Sequence, residues 1–431
     1  MKQLIVFGLG FQAHVGGVLY TGGLDIVVTY LYPHLPYKTL IFVRATHPTR
    51  TVSFRHAENV RVNAVPVEAW RSLDPSSYWV AEGNRDIISA LDWVSSVIHE
   101  RIFPLSDLLR RNQTIVHAHD WFNAKAIKYM KEAFDFPSIF SVHMSVNRPT
   151  GIDYLGLLRR SERSGMTPEL KKEMGNLDRR LLFEAEGCEL AEFVHCVSKA
   201  TAESVRTAYA LPSKKIKVIY NGVDTQLYRP PEEGEEKELD AVAKKYGLKR
   251  PFILSTGRFV AEKNHITLLR AFALFAKDHP DYSLGILGFG GYTYEELLRA
   301  RDSLPETLRK RVIIRNEDIR NDLPLLYRSA SICCFPSLVE AFGIVALEAM
   351  SSGKPVVVGD VGGLREVLPD RVNGRIGSRV DCRRPEPLAE ALARAVEKGE
   401  KWGRGARKYV LQHFSWEKIA LQFDRLYQQL F

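Results

Sequence analysis

Cysteine is scarce: Cys188, Cys196, Cys333, Cys334 and Cys382 are the five among 431 residues. None forms a C-x-x-C pair, so zinc ribbons, thioredoxin-type chemistry and a disulfide framework lack the thiols they need, and a reducing, cytoplasmic setting is expected. No apolar run reaches the ~18 residues of a membrane-spanning helix. The first run, Leu4–Phe11, is short, is broken by Gly8 and Gly10 and lacks a small-residue cleavage site. It reads as a first β-strand rather than a signal peptide. Asp-x-Asp is absent, which removes the usual metal-chelating pair of one sugar-transferase architecture. G-x-x-x-x-G-K-[ST] is absent too, which argues against a P-loop kinase or ATPase. Between Asp25 and Glu58 there is no acidic residue at all. Gly8-Leu-Gly10-Phe-Gln-Ala13 therefore matches the dinucleotide fingerprint only in form, because the ribose-binding carboxylate expected ~20 residues on is missing.

What is present is ordinary globular material, 45% apolar and 26% charged, with a net charge of +9. The basic excess divides almost evenly between the halves before and after residue 222, so it favours anionic ligands without forming a nucleic-acid-binding arm. Short β-branched runs alternate with longer helical patterns. Leu4–Phe7, Leu40–Val43, Val60–Val65, Thr114–Val116, Ser138–Val142, Phe193–Val197 and Lys217–Ile219 read as strands of a first half. Phe252–Ser255, Leu284–Leu287, Arg311–Ile314, Ser331–Phe335 and Pro355–Val358 read as strands of a second. Helical patterns between them include Ile87–Arg111, Leu177–Ala191, His265–Lys277 and Ala341–Ser351. This rhythm predicts βαβ units and an α/β chain of two Rossmann-like parallel-sheet domains, with a central cleft as the default site. The expected division is 1–222, 223–412 and a final helix, 413–431. The polar stretch Arg229–Glu236 reads as a linker or surface excursion.

Several motifs sit where strands end. Gly16-Gly17 and Gly22-Gly23 make the first loop glycine-rich, suited either to close backbone approach to a ligand or to flexibility. His117-Ala-His119-Asp120-Trp121 lacks the spacing of a zinc site and reads as a strand-end polar cluster on the acceptor side or as direct chemistry. His143 ends another apolar strand. Gly257-Arg258…Lys263-Asn264 follows a strand, where a guanidinium fork and an ammonium five residues on can grip one diphosphate. Gly288-Phe-Gly290-Gly291 follows the next strand and is expected to line the same site. In Glu340-Ala341-Phe342-Gly343-Ile-Val-Ala-Leu-Glu348, two carboxylates flank a helix start. Backbone N–H groups of Ala341, Phe342 and Gly343 are expected to bind oxygens there, with Glu348 free to accept paired hydroxyls.

Glu340 to Glu348 matches the E-x7-E motif of retaining GT-B glycosyltransferases. The chain resembles the glycogen/starch synthase and sucrose-synthase-like members, the glycosyltransferase family 4 group. The Gly257–Asn264 loop, Asn221-Gly-Val-Asp224, Val361-Gly-Gly-Leu364 and Phe414-Ser-Trp-Glu417 carry the same likeness. The resemblance implies Arg258 and Lys263 on the donor diphosphate, Glu340 on the donor sugar and Glu348 on the ribose. It implies His143 near the reacting carbon, and the last helix carried back onto the first domain. It also implies a nucleotide-sugar co-substrate with no cofactor and no metal. The implied activity is glucosyl transfer from UDP- or ADP-glucose to an α-1,4-glucan, or to a small carbohydrate or envelope glycolipid. No nucleic-acid partner or transmembrane segment is expected, although basic stretches at 157–163 and 171–180 would suit an anionic membrane surface. One departure is visible: where glycogen synthases carry Lys-Thr-Gly-Gly-Leu stands Tyr20-Thr-Gly-Gly-Leu24 or, alternatively, Val15-Gly16-Gly17, and either way the Lys is absent.

Overall fold

A computed structural model describes residues 2–8, 23–45, 52–66, 91, 93–145 and 168–431. The chain divides into two compact units: Met1–Asn221 with Trp416–Phe431, and Gly222–Ser415.

The first unit holds an eight-stranded sheet. Its strands are β1 (Gln3–Phe7), β2 (Lys38–Ala45), β3 (Val52–Ala57), β4 (Val60–Pro66), β5 (Thr114–His119), β6 (Ser138–Val142), β7 (Phe193–Cys196) and β8 (Ile216–Val218), in the order β3-β4-β2-β1-β5-β6-β7-β8. Every pairing is parallel except β3 with β4. β3 went unread in the sequence because its alternating half-buried and exposed residues form an edge hairpin rather than a buried run. β5 and β6 are buried along their whole length, as expected of parallel strands covered on both faces. The strand order reverses between β1 and β5, so the carboxyl end of β5, at His119, lies at a switch point.

The second unit holds β9 (Phe252–Thr256), β10 (Ser283–Gly288), β11 (Val312–Asn316), β12 (Ile332–Phe335), β13 (Val356–Gly359) and β14 (Ser378–Val380), all parallel in the order β11-β10-β9-β12-β13-β14. Its switch point lies between β9 and β12. The loops that leave those two strands contain Arg258–Lys263 and Pro336–Gly343, so topology alone brings these two motifs together.

Two local expectations need correction, and a third is narrowed. The helix read as Ala341–Ser351 begins at Ile344. Gly343 sits at φ +103, a left-handed conformation that cannot belong to a right-handed helix. The segment read as a helix over Ile87–Arg111 is α-helical at 93–97 and then departs from α winding: a wider turn spans Ile98–Ile102 and a tight 3-10 turn spans Phe103–Leu108, where Pro104 has no N–H to give. The polar stretch after Arg229 is a surface excursion docked on the second unit, because Glu235 accepts from both Arg229 and Arg328.

Candidate functional site

In the second unit, the Lys263 ammonium meets the Glu340 carboxylate at 2.6 Å, and Ser337 Oγ donates to the same oxygen at 3.3 Å. Two backbone ties hold the loops in place. Leu338 N–H donates to Glu262 O at 2.8 Å, and the Asn264 side-chain amide donates to the carbonyls of Pro336 and Cys382. Arg258 is exposed at the carboxyl end of β9. Gly257, Gly288 and Gly290 serve the approach of two loops to each other. A Cβ on Gly288 would lie 1.8 Å from the Gly257 carbonyl oxygen, and Phe259 N–H donates to Gly290 O at 2.8 Å.

Ala341, Phe342 and Gly343 precede the helix rather than form its first turn. The first-turn N–H groups therefore belong to Ile344 and Val345, since Ala346 already donates to Gly343 O. The Phe342 side chain is core, packed toward Phe414. Glu348 differs more from the expectation. Its carboxylate is buried, not free, and accepts from the Tyr327 hydroxyl at 3.1 Å, which is itself paired with Thr256. Burial pushes the Glu348 carboxyl up to about 7, with the Tyr327 and Tyr228 hydroxyls pulling weakly the other way. Tyr327 was missed in the sequence: it lies on the Leu323–Ser329 helix, 21 residues before Glu348, with no motif around it.

In the first unit the histidines line one face of the sheet. The register pairs His119 with Ser141 and Ser141 with His195, and His117 lies two residues before His119 on the same face. His143 follows β6 on that face. The helix Trp416–Tyr427 contributes Phe423 and Tyr427 against it. The four imidazoles are buried and linked in series. His143 Nε2 meets His119 Nδ1 at 2.8 Å and His119 Nε2 meets the Tyr32 hydroxyl at 2.6 Å. His117 Nε2 meets Ser141 Oγ at 2.6 Å, Ser141 Oγ meets His195 Nδ1 at 2.7 Å, and His195 Nε2 donates to the Ile219 carbonyl at 2.8 Å. Among the described residues no group of three His, Cys, Asp or Glu is arranged to hold a metal ion. Burial holds His117, His119 and His143 well below the usual imidazole range and His195 at about 4. The rings are therefore neutral near pH 7.

Asp120 takes φ +58, an uncommon backbone for a non-glycine residue, and its Oδ1 accepts from His143 N–H at 2.7 Å. The cost of that conformation is offset by a contact that fixes where His143 begins. His119 is wholly buried, and its Nδ1 meets His143 Nε2. His195 was missed in the sequence. Its signal was there, as a third apolar strand with a histidine near its carboxyl end, like those of His119 and His143. Gly16 and Gly17 lie outside the described residues, as does the basic stretch at 157–163.

Two parallel-sheet α/β units, with loop-borne charges at one switch point and an ordered histidine at another, define a glycosyltransferase of the GT-B class. The family model for glycosyl transferases group 1 matches residues 236–409, and that for glycosyltransferase family 4 matches 21–227. The chain is 24% identical over 406 residues to a D-inositol 3-phosphate glycosyltransferase of Corynebacterium glutamicum, covering 90% of this chain and 86% of the relative. It is 28% identical over 333 residues to an alpha-maltose-1-phosphate synthase of Mycolicibacterium smegmatis, covering 74% and 79%. The solved sucrose-phosphate synthase of Thermosynechococcus elongatus superposes with a TM-score of 0.73 at 22% identity, over 100% of this chain and 99% of that one. This chain belongs to the GT-B glycosyltransferases of the family 4 type. No helix among the described residues is long and apolar enough to cross a membrane.

Proposed function

We propose that the enzyme transfers glucose with retention from UDP- or ADP-glucose, without metal, to the non-reducing end of an α-1,4-glucan. The observation that carries the donor half is the Lys263–Glu340 ion pair at the β9/β12 switch point, with the buried Glu348 one turn into the helix that follows. As the C1–oxygen bond breaks, its electron pair leaves with the diphosphate. Lys263 and Arg258 meet that charge as it develops, and the helix start beyond Gly343 adds N–H groups. Glu340 is then released from Lys263 to accept from donor-sugar hydroxyls, and Glu348 accepts from the ribose. The acceptor oxygen bonds C1 on the departing face and passes its proton to a phosphate oxygen. His143 holds the sugar beside C1.

The relatives support a second acceptor reading. The names of both curated relatives carry a phosphate, on inositol or on maltose, and a chain of net charge +9 suits a small phosphorylated acceptor. One screen decides. UDP- and ADP-glucose are each offered with maltodextrin, glucose 1-phosphate and D-inositol 3-phosphate, and nucleoside diphosphate release is followed in EDTA. Maltodextrin-dependent release supports the glucan reading, and release only with a phosphorylated acceptor replaces it. Rates restored only by Mg²⁺ or Mn²⁺ would overturn the metal-free mechanism.

A further inference from the structure

The chain of buried side chains behind His143 has a direction, and that direction reaches His143. At one end stands the Ile219 carbonyl, which only accepts, so His195 carries its proton on Nε2. His195 Nδ1 is then an acceptor and takes the Ser141 hydroxyl proton, which obliges Ser141 Oγ to accept from His117 Nε2–H. His117 Nδ1 is left as an acceptor with two hydroxyls near it, Tyr427 at 2.6 Å and Tyr32 at 3.0 Å. Tyr427 lies closer to it. Tyr32 also meets the Tyr427 hydroxyl, but its short contact is the one to His119 Nε2, at 2.6 Å. With each hydroxyl proton on its shortest contact, His119 is protonated on Nδ1 and donates to His143 Nε2. Neutral His143 must then carry its proton on Nδ1, the buried atom for which no hydrogen-bond partner is found among the described residues.

We propose that this relay, Ile219 carbonyl–His195–Ser141–His117–Tyr427 and Tyr32–His119, fixes His143 as its Nδ1–H tautomer and so makes it a hydrogen-bond donor to the substrate. His119, Tyr32, His117, Ser141, His195 and Tyr427 are positioning residues in this scheme. The statement that the Nδ1 proton meets substrate rests on the function proposed above; the tautomer itself does not. Free imidazole side chains in water favour the Nε2–H form, so the surroundings must impose the other one. Neutrality of all four rings is what makes a single tautomer meaningful. Tyr427 is the hinge of the scheme. Without its hydroxyl, Tyr32 is the donor left for His117 Nδ1. Turning to it, Tyr32 becomes the acceptor of a proton on His119 Nε2. His119 Nδ1 then accepts from His143 Nε2–H, and His143 Nδ1 becomes a bare lone pair. Removing one hydroxyl, three rings away, reverses the donor.

The test is ¹⁵N-histidine labelling of the whole chain without ligand, with long-range ¹H–¹⁵N spectra at neutral pH and the His143 signals assigned by their loss in His143→Gln. Wild type is expected to show a protonated Nδ1 and an unprotonated Nε2 at His143, and Tyr427→Phe the reverse. Ser141→Ala, which cuts the relay from its carbonyl anchor, is expected to give a mixture, and it decides the matter if Tyr427→Phe does not fold. A wild-type His143 protonated on Nε2, or a tautomer unchanged in both variants, overturns the relay. UDP-glucose turnover separates this from the functional reading. With the tautomer reversed, kcat is expected to fall about tenfold, the scale of one hydrogen bond lost, with little change in donor KM. Reversal with unchanged turnover would leave the relay standing and remove His143 from the substrate. Lost turnover without reversal would do the opposite.

Discussion

The two units prepare their chemistry in opposite ways. The second sets charges at a loop junction: Lys263 and Glu340 are half-buried and hold each other. The first unit relies on neutral rings instead. It buries four neutral imidazoles in series and spends their hydrogen bonds on the orientation of one of them. A departing diphosphate needs cations already in place, because charge develops there in the transition state. A sugar hydroxyl needs a donor or an acceptor of fixed identity, which a neutral ring held in one tautomer supplies. Left-handed backbone marks both places: Asp120 at φ +58 holds the backbone N–H of His143, and Gly343 at φ +103 ends the loop before the helix.

The largest expected effect breaks the charged side. Lys263→Ala should lower kcat by roughly 10²–10³, the scale for one preorganised donor at a developing charge. Arg270, exposed on the His265–Phe275 helix, is the matched control, and its alanine variant should stay within a few-fold. Steady-state rates on both variants, with melting curves to establish folding, make the measurement. Comparable small losses in the two would remove the Lys263 loop from the donor phosphates.

Acid separates the units next. A buried neutral histidine costs nothing above its unfolded pKa of ~6.5. Below that pH the unfolded chain takes up the proton and the folded chain does not. Stability therefore falls as pH drops, by up to about 1.4 kcal/mol per pH unit for each ring, until the folded value is reached. His117, His119, His143 and His195 all act in this sense in the first unit. Glu348 acts in the other sense. Its folded value, about 7, lies above its unfolded one, so the second unit gains stability as pH falls from 7 to ~4.5. His265, held at about 3 mainly by burial, offsets that gain within the same unit. Scanning calorimetry from pH 7.5 to 5 should show the transition of the first unit moving down steeply and that of the second nearly still. Parallel movement of both would contradict the contrast.

Much of this was legible in the sequence. The alternation of strands and helices follows from apolar runs that a parallel sheet buries whole, and the Arg258–Lys263 and Glu340–Glu348 motifs are local strings that end strands. What could not be read depended on approach between distant residues. Tyr427 reaches His117 across 310 residues, and Tyr32 reaches it across 85. Neither tyrosine stands in a motif, and a tyrosine in an amphipathic helix ordinarily signals only core. The helix start was misplaced by three residues because apolar spacing was followed through Gly343, whose left-handed backbone decides the boundary. The expectation of a free Glu348 carboxylate overlooked that an apolar helix, buried at nearly every position, would take the carboxylate inside with it.

That burial sharpens the comparison at its finest point. Glu348 is the one residue of the charged side treated as the first unit treats its histidines: enclosed, hydrogen-bonded to a buried tyrosine, and brought to about 7 so that it exchanges its proton near neutral pH. A ribose hydroxyl donates better to a carboxylate than to a carboxylic acid, because a charged acceptor makes the stronger hydrogen bond. Donor KM should therefore fall as pH rises from 6 to 8, with kcat nearly flat, since a ribose contact is made alike in ground and transition states. Glu348→Gln should raise donor KM about tenfold at pH 8, abolish that pH dependence and leave kcat within a few-fold. It should also raise the melting temperature of the second unit at pH 8 by about 2–4 °C, because an amide carries no ionisation penalty into the core. A collapse of kcat at unchanged KM would move Glu348 from the ribose to the reacting end of the donor. A lowered melting temperature would mean that the carboxylate stabilises the folded unit in its charged form.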